Sequence, residues 1–319
     1  METTAIRRIA VIGAGIMGHG IAQEFAAAGF EVGLYDVDEA RLQEGLTRIT
    51  ANLDRLAAAG VVAPDAAGTA PTRIHPSTTL AEATADADYV VEAAPEHLPL
   101  KRDLFAEFDR LCSPATILAS NTSTFTPSSL ASATRRPDRV LVTHYFNPPF
   151  LVPLVEVVRG PQTADATVAA TFTLLKNLGK SPVVVQKEAP GFIGNRLQLA
   201  LVREALSIVA QGLATPEDVD LVVRTSLGRR WAVAGPFETS DAAGLDTVLA
   251  VAAQLFPAIE SSPEVPALLH DMVAHGDLGH KSGKGFYDWP PDAAEALRER
   301  IRRALIEIAR WDTDRSTAR

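Results

Sequence analysis

The chain predicts a doubly wound α/β sheet followed by an all-helical region, on three observations. Short apolar runs alternate with segments of helical periodicity through the first half. Most of these runs lack polar alternation, as strands covered on both faces do. After Gln186 no comparable run appears and amphipathic stretches take over. The expected boundary therefore divides residues 1–186, α/β, from residues 187–319, helical.

The elements follow in order. Ile9–Ile12 reads as the first strand. Ile21, Phe25 and Ala28 mark the buried face of the next helix, which Gly29 ends. Glu31–Tyr35 is the second strand, and Ala40–Ala59 a long helix stopped by Gly60. Tyr89–Ala93, Ile117–Ser120, Val140–Thr143, Leu154–Val158 and Val183–Val185 are further strands. Leu104, Phe105, Phe108 and Leu111 give the helical period between the first two of these. Beyond the boundary, Phe192–Gln211 is helical, with Leu197, Ala200, Leu201, Ala205 and Ile208 on one face. Thr215-Pro216-Glu217-Asp218 has the pattern of a helix start: a capping hydroxyl, proline, then acids. The last helix is expected over Ala293–Trp311.

Composition excludes several classes of function. Of 319 residues, 47% are hydrophobic and 22% charged, which suits a packed globular enzyme. The net charge of −9 opposes nucleic-acid binding, which needs a basic face. The single cysteine, Cys112, cannot form an internal disulfide and makes a cysteine-based metal site unfavourable. The chain starts almost at once on a strand, so no leader peptide is expected. No apolar run is long enough to span a bilayer. A cytoplasmic location is the default expectation.

Gly13-Ala14-Gly15-Ile16-Met17-Gly18 lies between the first strand and the first helix. Its glycines suit a tight turn, a close backbone approach to pyrophosphate, and close helix–strand packing. The helix N-terminus adds amide donors and positive dipole. Asp36 closes the second strand about 20 residues on, where an acid receives ribose hydroxyls. It also repels a 2′-phosphate, so NAD is expected over NADP.

Three polar positions end or interrupt apolar strands. Ser120-Asn121-Thr122-Ser123 follows one strand, His144 follows another, and Glu156 sits inside Leu154–Val158. A buried carboxylate must be paired, and the nearest partner in sequence is His144. Such a pair orients an imidazole as a general base. Spacing alone leaves open a structural histidine and a glutamate on an exposed edge.

Taken together, several motifs resemble the 3-hydroxyacyl-CoA dehydrogenase family across nearly the whole chain. They are Gly13–Gly18, Ser120-Asn121-Thr122-Ser123, His144-Tyr145-Phe146-Asn147-Pro148, Pro153-Leu154-Val155-Glu156-Val157-Val158, Pro190-Gly191-Phe192-Ile193-Gly194-Asn195-Arg196 and Lys281-Ser282-Gly283-Lys284-Gly285-Phe286-Tyr287. The resemblance implies a Rossmann-type dinucleotide domain and oxidation of an (S)-3-hydroxyacyl substrate, 3-hydroxybutyryl-CoA or similar, with hydride passing to NAD. It implies His144 as general base, Glu156 as its orienting partner, and Ser123 and Asn195 holding the substrate oxygens. It implies NAD contacts at Gly13, Gly15, Ile16, Met17, Gly18, Asp36, Glu96, Lys101, Asn121 and Lys281. No metal is required, and a homodimer through the helical region is implied.

The sequence departs from that pattern in two places. The family's CoA-contacting segment is the long helix after Asp36, and acyl-CoA members carry a lysine near its end. Here that end reads Leu56-Ala57-Ala58-Ala59-Gly60, leaving Arg48 and Arg55 either to substitute for the lysine or to stand as solvated charges on the helix surface. Arg229-Arg230-Trp231-Ala232 is more similar to family members acting on small free acids such as L-carnitine or L-gulonate. There Arg230 and Trp231 are expected to hold a substrate carboxylate; the alternative is a core tryptophan and a surface arginine. Lambda-crystallins reuse the scaffold structurally, an alternative that an intact His144–Glu156 pair opposes.

Overall fold

The computed structural model describes residues 6–317, of which 312–317 by backbone alone. Residues 1–5, on which the absence of a leader was read, lie outside the described residues. One eight-stranded sheet organises the first part of the chain. Its strands are β1 (Arg8–Ile12), β2 (Glu31–Tyr35), β3 (Ile74–Ser77), β4 (Tyr89–Glu92), β5 (Ile117–Ser120), β6 (Val140–Tyr145), β7 (Leu154–Arg159) and β8 (Ser181–Val185). The order is β3-β2-β1-β4-β5-β6-β7-β8. The strand order reverses direction after β1, and ligands collect at such a switch point.

Alternation along the strands builds two apolar layers. In β1, Ile9 and Val11 join Ile21, Phe25 and Leu34 on one face. Ala10 and Ile12 join Phe105, Phe108 and Leu118 on the other. The first face is covered by α1 (Gly18–Ala27) and α2 (Glu39–Ala58), the second by the helix Leu98–Leu111. This double covering is why the strands read as unbroken apolar runs. β3 escaped sequence reading because Ile74-His75-Pro76-Ser77 is a short edge strand, half of it exposed.

One pairing is antiparallel. The link from β6 to β7 spans only residues 146–153, too short for the crossover a parallel pair needs. β7 therefore doubles back on β6, in a register that sets Glu156 opposite His144. The helix Asp165–Asn177 then returns the chain so that β8 runs parallel to β7.

The described chain forms two compact units. One takes in the residues up to Ile193 together with those from Arg300 on; the other is Gly194–Glu299. The second unit is helical, with helices Gly194–Ala210, Pro216–Val222, Pro236–Ala243, Leu245–Leu255 and Ala267–His275. Thr215 caps one of them, its hydroxyl accepting from Asp218 N at 3.2 Å. The sequence expected 187–319 to form one helical region. Instead the last helix, Ala293–Thr317, passes into the first unit at Arg300, where Arg310 Nε donates to the Ala59 carbonyl at 2.9 Å. Amphipathic spacing shows that a helix packs, not which unit it packs on. Among the described residues no helix is long and apolar enough to cross a membrane.

Candidate active site

The glycine turn is tight enough to need its glycines. A side chain at Gly18 would stand 1.7 Å from the Gly13 carbonyl oxygen. Gly13 itself has φ +113° and lies against the Ala93 carbonyl. Gly15 differs, since a side chain there would meet no protein atom and would project into open space. That space is a cleft of about 610 Å³ lined by Gly13, Gly15, Ile16, Met17, Asp36, Glu96, Asn121 and Ser123, among others. Asp36 Oδ2 accepts from Ala14 N at 3.0 Å, holding the carboxylate beside the turn. An open glycine face, a helix N-terminus and an acid at the end of β2 together suit a dinucleotide.

The far wall of the cleft rests on a buried charge network that sequence reading only half found. Glu92, wholly buried at the end of β4, accepts from Lys101 Nζ at 2.7 Å, from Ala94 N at 2.7 Å and from the Ser120 hydroxyl. Lys101 also lies 3.3 Å from Glu96 Oε2. Glu96 in turn accepts from the Thr122 and Thr124 hydroxyls and from Ser123 N and Thr124 N. Burial opposes its ionisation. The Thr122 and Thr124 bonds and Lys101 outweigh that and hold it below the usual carboxylate range. Lys101, expected to touch the cofactor, is 1% exposed and does not line the cleft. Its place is behind Glu96. Glu92 was missed, although an acid closing an apolar strand is the signal that singled out Glu156. Arg41, which also lines the cleft, gave no signal.

On the adjoining strands stands a buried histidine–glutamate pair. His144 Nδ1 donates to Glu156 Oε2 at 2.7 Å, both side chains being almost fully buried. Glu156 Oε1 accepts from Ile193 N at 2.8 Å, so both carboxylate oxygens are engaged. Ile193 follows Gly191 and Phe192, with φ +75° and +48°; the second is a strained value for a phenylalanine. Phe146 and Phe192 flank the imidazole at 4.6 and 5.6 Å between ring centroids. Asn121 links pair and cleft, its Oδ1 accepting from Tyr145 N, one residue past His144, at 3.0 Å.

The structure thus gathers Gly13, Gly15, Ile16, Met17, Asp36, Glu96, Asn121 and Ser123 around one cleft. It places Gly18 beneath the turn and His144 with Glu156 on the adjoining strands. Asn195, Arg230, Trp231 and Lys281 belong to the second unit. Trp231 is 47% exposed, so it is not the core residue that one reading of the sequence allowed. Lys281 lines a second hollow, of about 440 Å³, with Leu269, Phe286 and Trp289.

A doubly wound sheet with this cleft is the architecture of a dinucleotide-binding protein. Comparison with known proteins agrees. Residues 8–189 match the NAD-binding domain of 3-hydroxyacyl-CoA dehydrogenase and residues 191–289 its C-terminal domain. A probable 3-hydroxybutyryl-CoA dehydrogenase of Bacillus subtilis is 40% identical over 285 residues, 89% of this chain and 98% of its own. An L-carnitine dehydrogenase of Streptomyces coelicolor is 38% identical over 315 residues, 96% of this chain and 94% of its own. The crystal structure of 5-formyl-3-hydroxy-2-methylpyridine 4-carboxylic acid 5-dehydrogenase, an NAD+-dependent dismutase, matches with a TM-score of 0.90 at 34% identity. It covers 96% of this chain and 98% of that one. The chain belongs to the 3-hydroxyacyl-CoA dehydrogenase family. It is an NAD-dependent dehydrogenase acting on CH–OH groups.

The two glycines predict different effects on stability when substituted. Gly15→Val should leave the thermal midpoint nearly unchanged and weaken NADH binding at least tenfold, because the new side chain enters only the cleft. Gly18→Ala should lower both, because its methyl group meets backbone. Fluorescence titration reads the shared loss of binding, and thermal melting separates the two.

Proposed function

We propose that this enzyme oxidises the hydroxyl of a small free hydroxy carboxylate, with His144 as the base. The observation that carries the base assignment is the His144–Glu156 bond. The carboxylate can only accept, so Nδ1 bears the hydrogen and Nε2 keeps a lone pair for the substrate hydroxyl proton. Glu156, fixed by Ile193 N, stabilises the imidazolium that forms. NAD, when bound along Gly13–Gly18, supplies the hydride acceptor. Asp36 receives its adenosine ribose, and Asn121 and Ser123 shape the end of the cleft next to His144. Lys101 acts through Glu96, whose carboxylate braces the Thr122–Thr124 loop. Ser123 and Asn195 are the groups assigned to the substrate oxygens, and Lys281 a further cofactor contact.

Support for a free acid comes from the end of α2. CoA-ester members of the family contact CoA along this helix. Here it ends without a lysine, Arg48 is paired with Glu44, and the last helix lays Arg310 on the Ala59 carbonyl. The carnitine and pyridine-carboxylate enzymes match 96% of this chain, the 3-hydroxybutyryl-CoA enzyme 89%. Arg230 would then pair with the substrate carboxylate. The 40% identity to the 3-hydroxybutyryl-CoA enzyme favours a second reading, an (S)-3-hydroxyacyl-CoA substrate.

The helical unit supports a homodimer. Among the described residues of its helices Gly194–Ala210, Pro216–Val222, Pro236–Ala243, Leu245–Leu255 and Ala267–His275, only Leu206 and Ser207 are buried. Phe237, Leu249 and Phe256 are 85%, 71% and 70% exposed. Apolar surface on this scale marks an association face, and a second copy supplies a matching one.

Three measurements follow. Initial rates with NAD on L-carnitine, L-gulonate, 3-hydroxybutyrate and 3-hydroxybutyryl-CoA should favour a free acid; saturable preference for the CoA ester would establish the second reading. His144→Ala should lower kcat by about 10²–10⁴, the usual contribution of a general base, while NADH affinity stays within about twofold; an active variant removes the base assignment. Light scattering in solution should give twice the chain mass, and a monomer at micromolar concentration would count against the dimer.

A further inference from the structure

His19 is a buried imidazole with no part in the chemistry above. It is the second residue of α1, directly after Gly18, and 7% exposed. Its Nδ1 lies 2.7 Å from the Gly15 carbonyl oxygen, which also accepts from His19 N at 3.2 Å. A carbonyl only accepts, so Nδ1 carries the hydrogen and Nε2 is left as an acceptor. Nε2 faces Asn52 Nδ2 of α2 at 3.5 Å. The close approach of α2 at Gly45, where a side chain would stand 3.0 Å from the Ala14 carbonyl oxygen, brings Asn52 within this reach.

We propose that His19 is a positioning residue of the dinucleotide site, holding the Gly15–Ile16 peptide so that the Ile16 N–H is presented to the cofactor's pyrophosphate. Peptide geometry sets this orientation. A trans peptide sets its C=O and N–H on opposite sides. Two hydrogen bonds draw the Gly15 oxygen down into the α1–α2 seam. The amide hydrogen of Ile16 is thereby turned away from the seam, and Gly15 and Ile16 both line the cleft. Asn52 fixes the tautomer from the other side by donating to Nε2, as outer partners of functional histidines do. Burial, the main influence, and the nearby Arg48 both lower the His19 pKa; the Gly15 bond and Glu44 oppose them. The neutral ring is the form that can donate at one nitrogen and accept at the other.

Three variants test this by binding, apart from turnover. His19→Asn places an amide N–H near the Nδ1 position and keeps the bond to Gly15. His19→Gln reaches toward Asn52 and loses it. Fluorescence titration with NADH and calorimetry with ADP should show about five- to tenfold weaker binding for His19→Gln. His19→Asn should stay within about threefold of the parent, and adenosine, which lacks phosphates, should bind all three proteins alike. Equal losses for adenosine and ADP, or a lower thermal midpoint with unchanged ADP affinity, would reduce His19 to a packing residue and overturn the proposal. If either histidine variant fails to fold, Asn52→Ala decides: a severalfold loss of ADP affinity supports the proposal, and unchanged affinity refutes it.

Discussion

The structure depends most on one cross-strand contact, the bond from His144 to Glu156. It exists because β7 runs against its neighbour. In a sheet otherwise parallel, the short link 146–153 forces an antiparallel return, and the register sets the two residues face to face. A carboxylate this deep would be costly alone. Its two oxygens are therefore committed, one to the imidazole and one to Ile193 N. The second bond reaches from the turn where the sheet unit ends, and the strained backbone of Phe192 brings it there. Glu156 is thus held on one side by the imidazole of the neighbouring strand and on the other by the segment that leads into the helical unit.

Much of this was legible in the sequence. The sheet could be read because strands covered on both faces are written as apolar runs, and the glycine turn because its spacing is mechanical. The pairing of His144 with Glu156 followed from the cost of an isolated buried acid. What escaped reading has physical causes. β3 lies at an edge and carries a histidine and a proline, so it lacks the apolar signature. Lys101 matches a cofactor-contacting position but is drawn inward by two carboxylates, an arrangement no spacing rule reveals. Glu92 was readable by the logic applied to Glu156, yet it was absorbed into an apolar strand. The placement of the last helix was not readable, since its apolar stripe does not name the surface it meets.

The Glu92–Lys101–Glu96 network is better understood as shaping than as stabilising. A fully buried ion pair gains little net stability over apolar side chains of similar volume, while removing one partner is severe. What it provides is a fixed position for the Glu96 carboxylate, which gathers the hydroxyls and amides of Thr122–Thr124. Asn121, at the head of that loop, accepts from the amide just past His144. The wall of the cleft and the strand bearing His144 are therefore one hydrogen-bonded assembly, and a displacement in either is felt by the other.

A similar division of labour separates the two units. The sheet unit buries most of its apolar residues in two layers between its strands and its own helices. The helical unit leaves large side chains such as Phe237 and Phe256 uncovered. Covering such surface would gain about 25 cal/mol per Å² of apolar area, a gain the helical unit leaves unused within itself. Asn195, Arg230 and Lys281 all sit on that unit. In this chain the sheet, the glycine turn and the His144–Glu156 contact lie in one unit, and Asn195, Arg230 and Lys281 lie in the other.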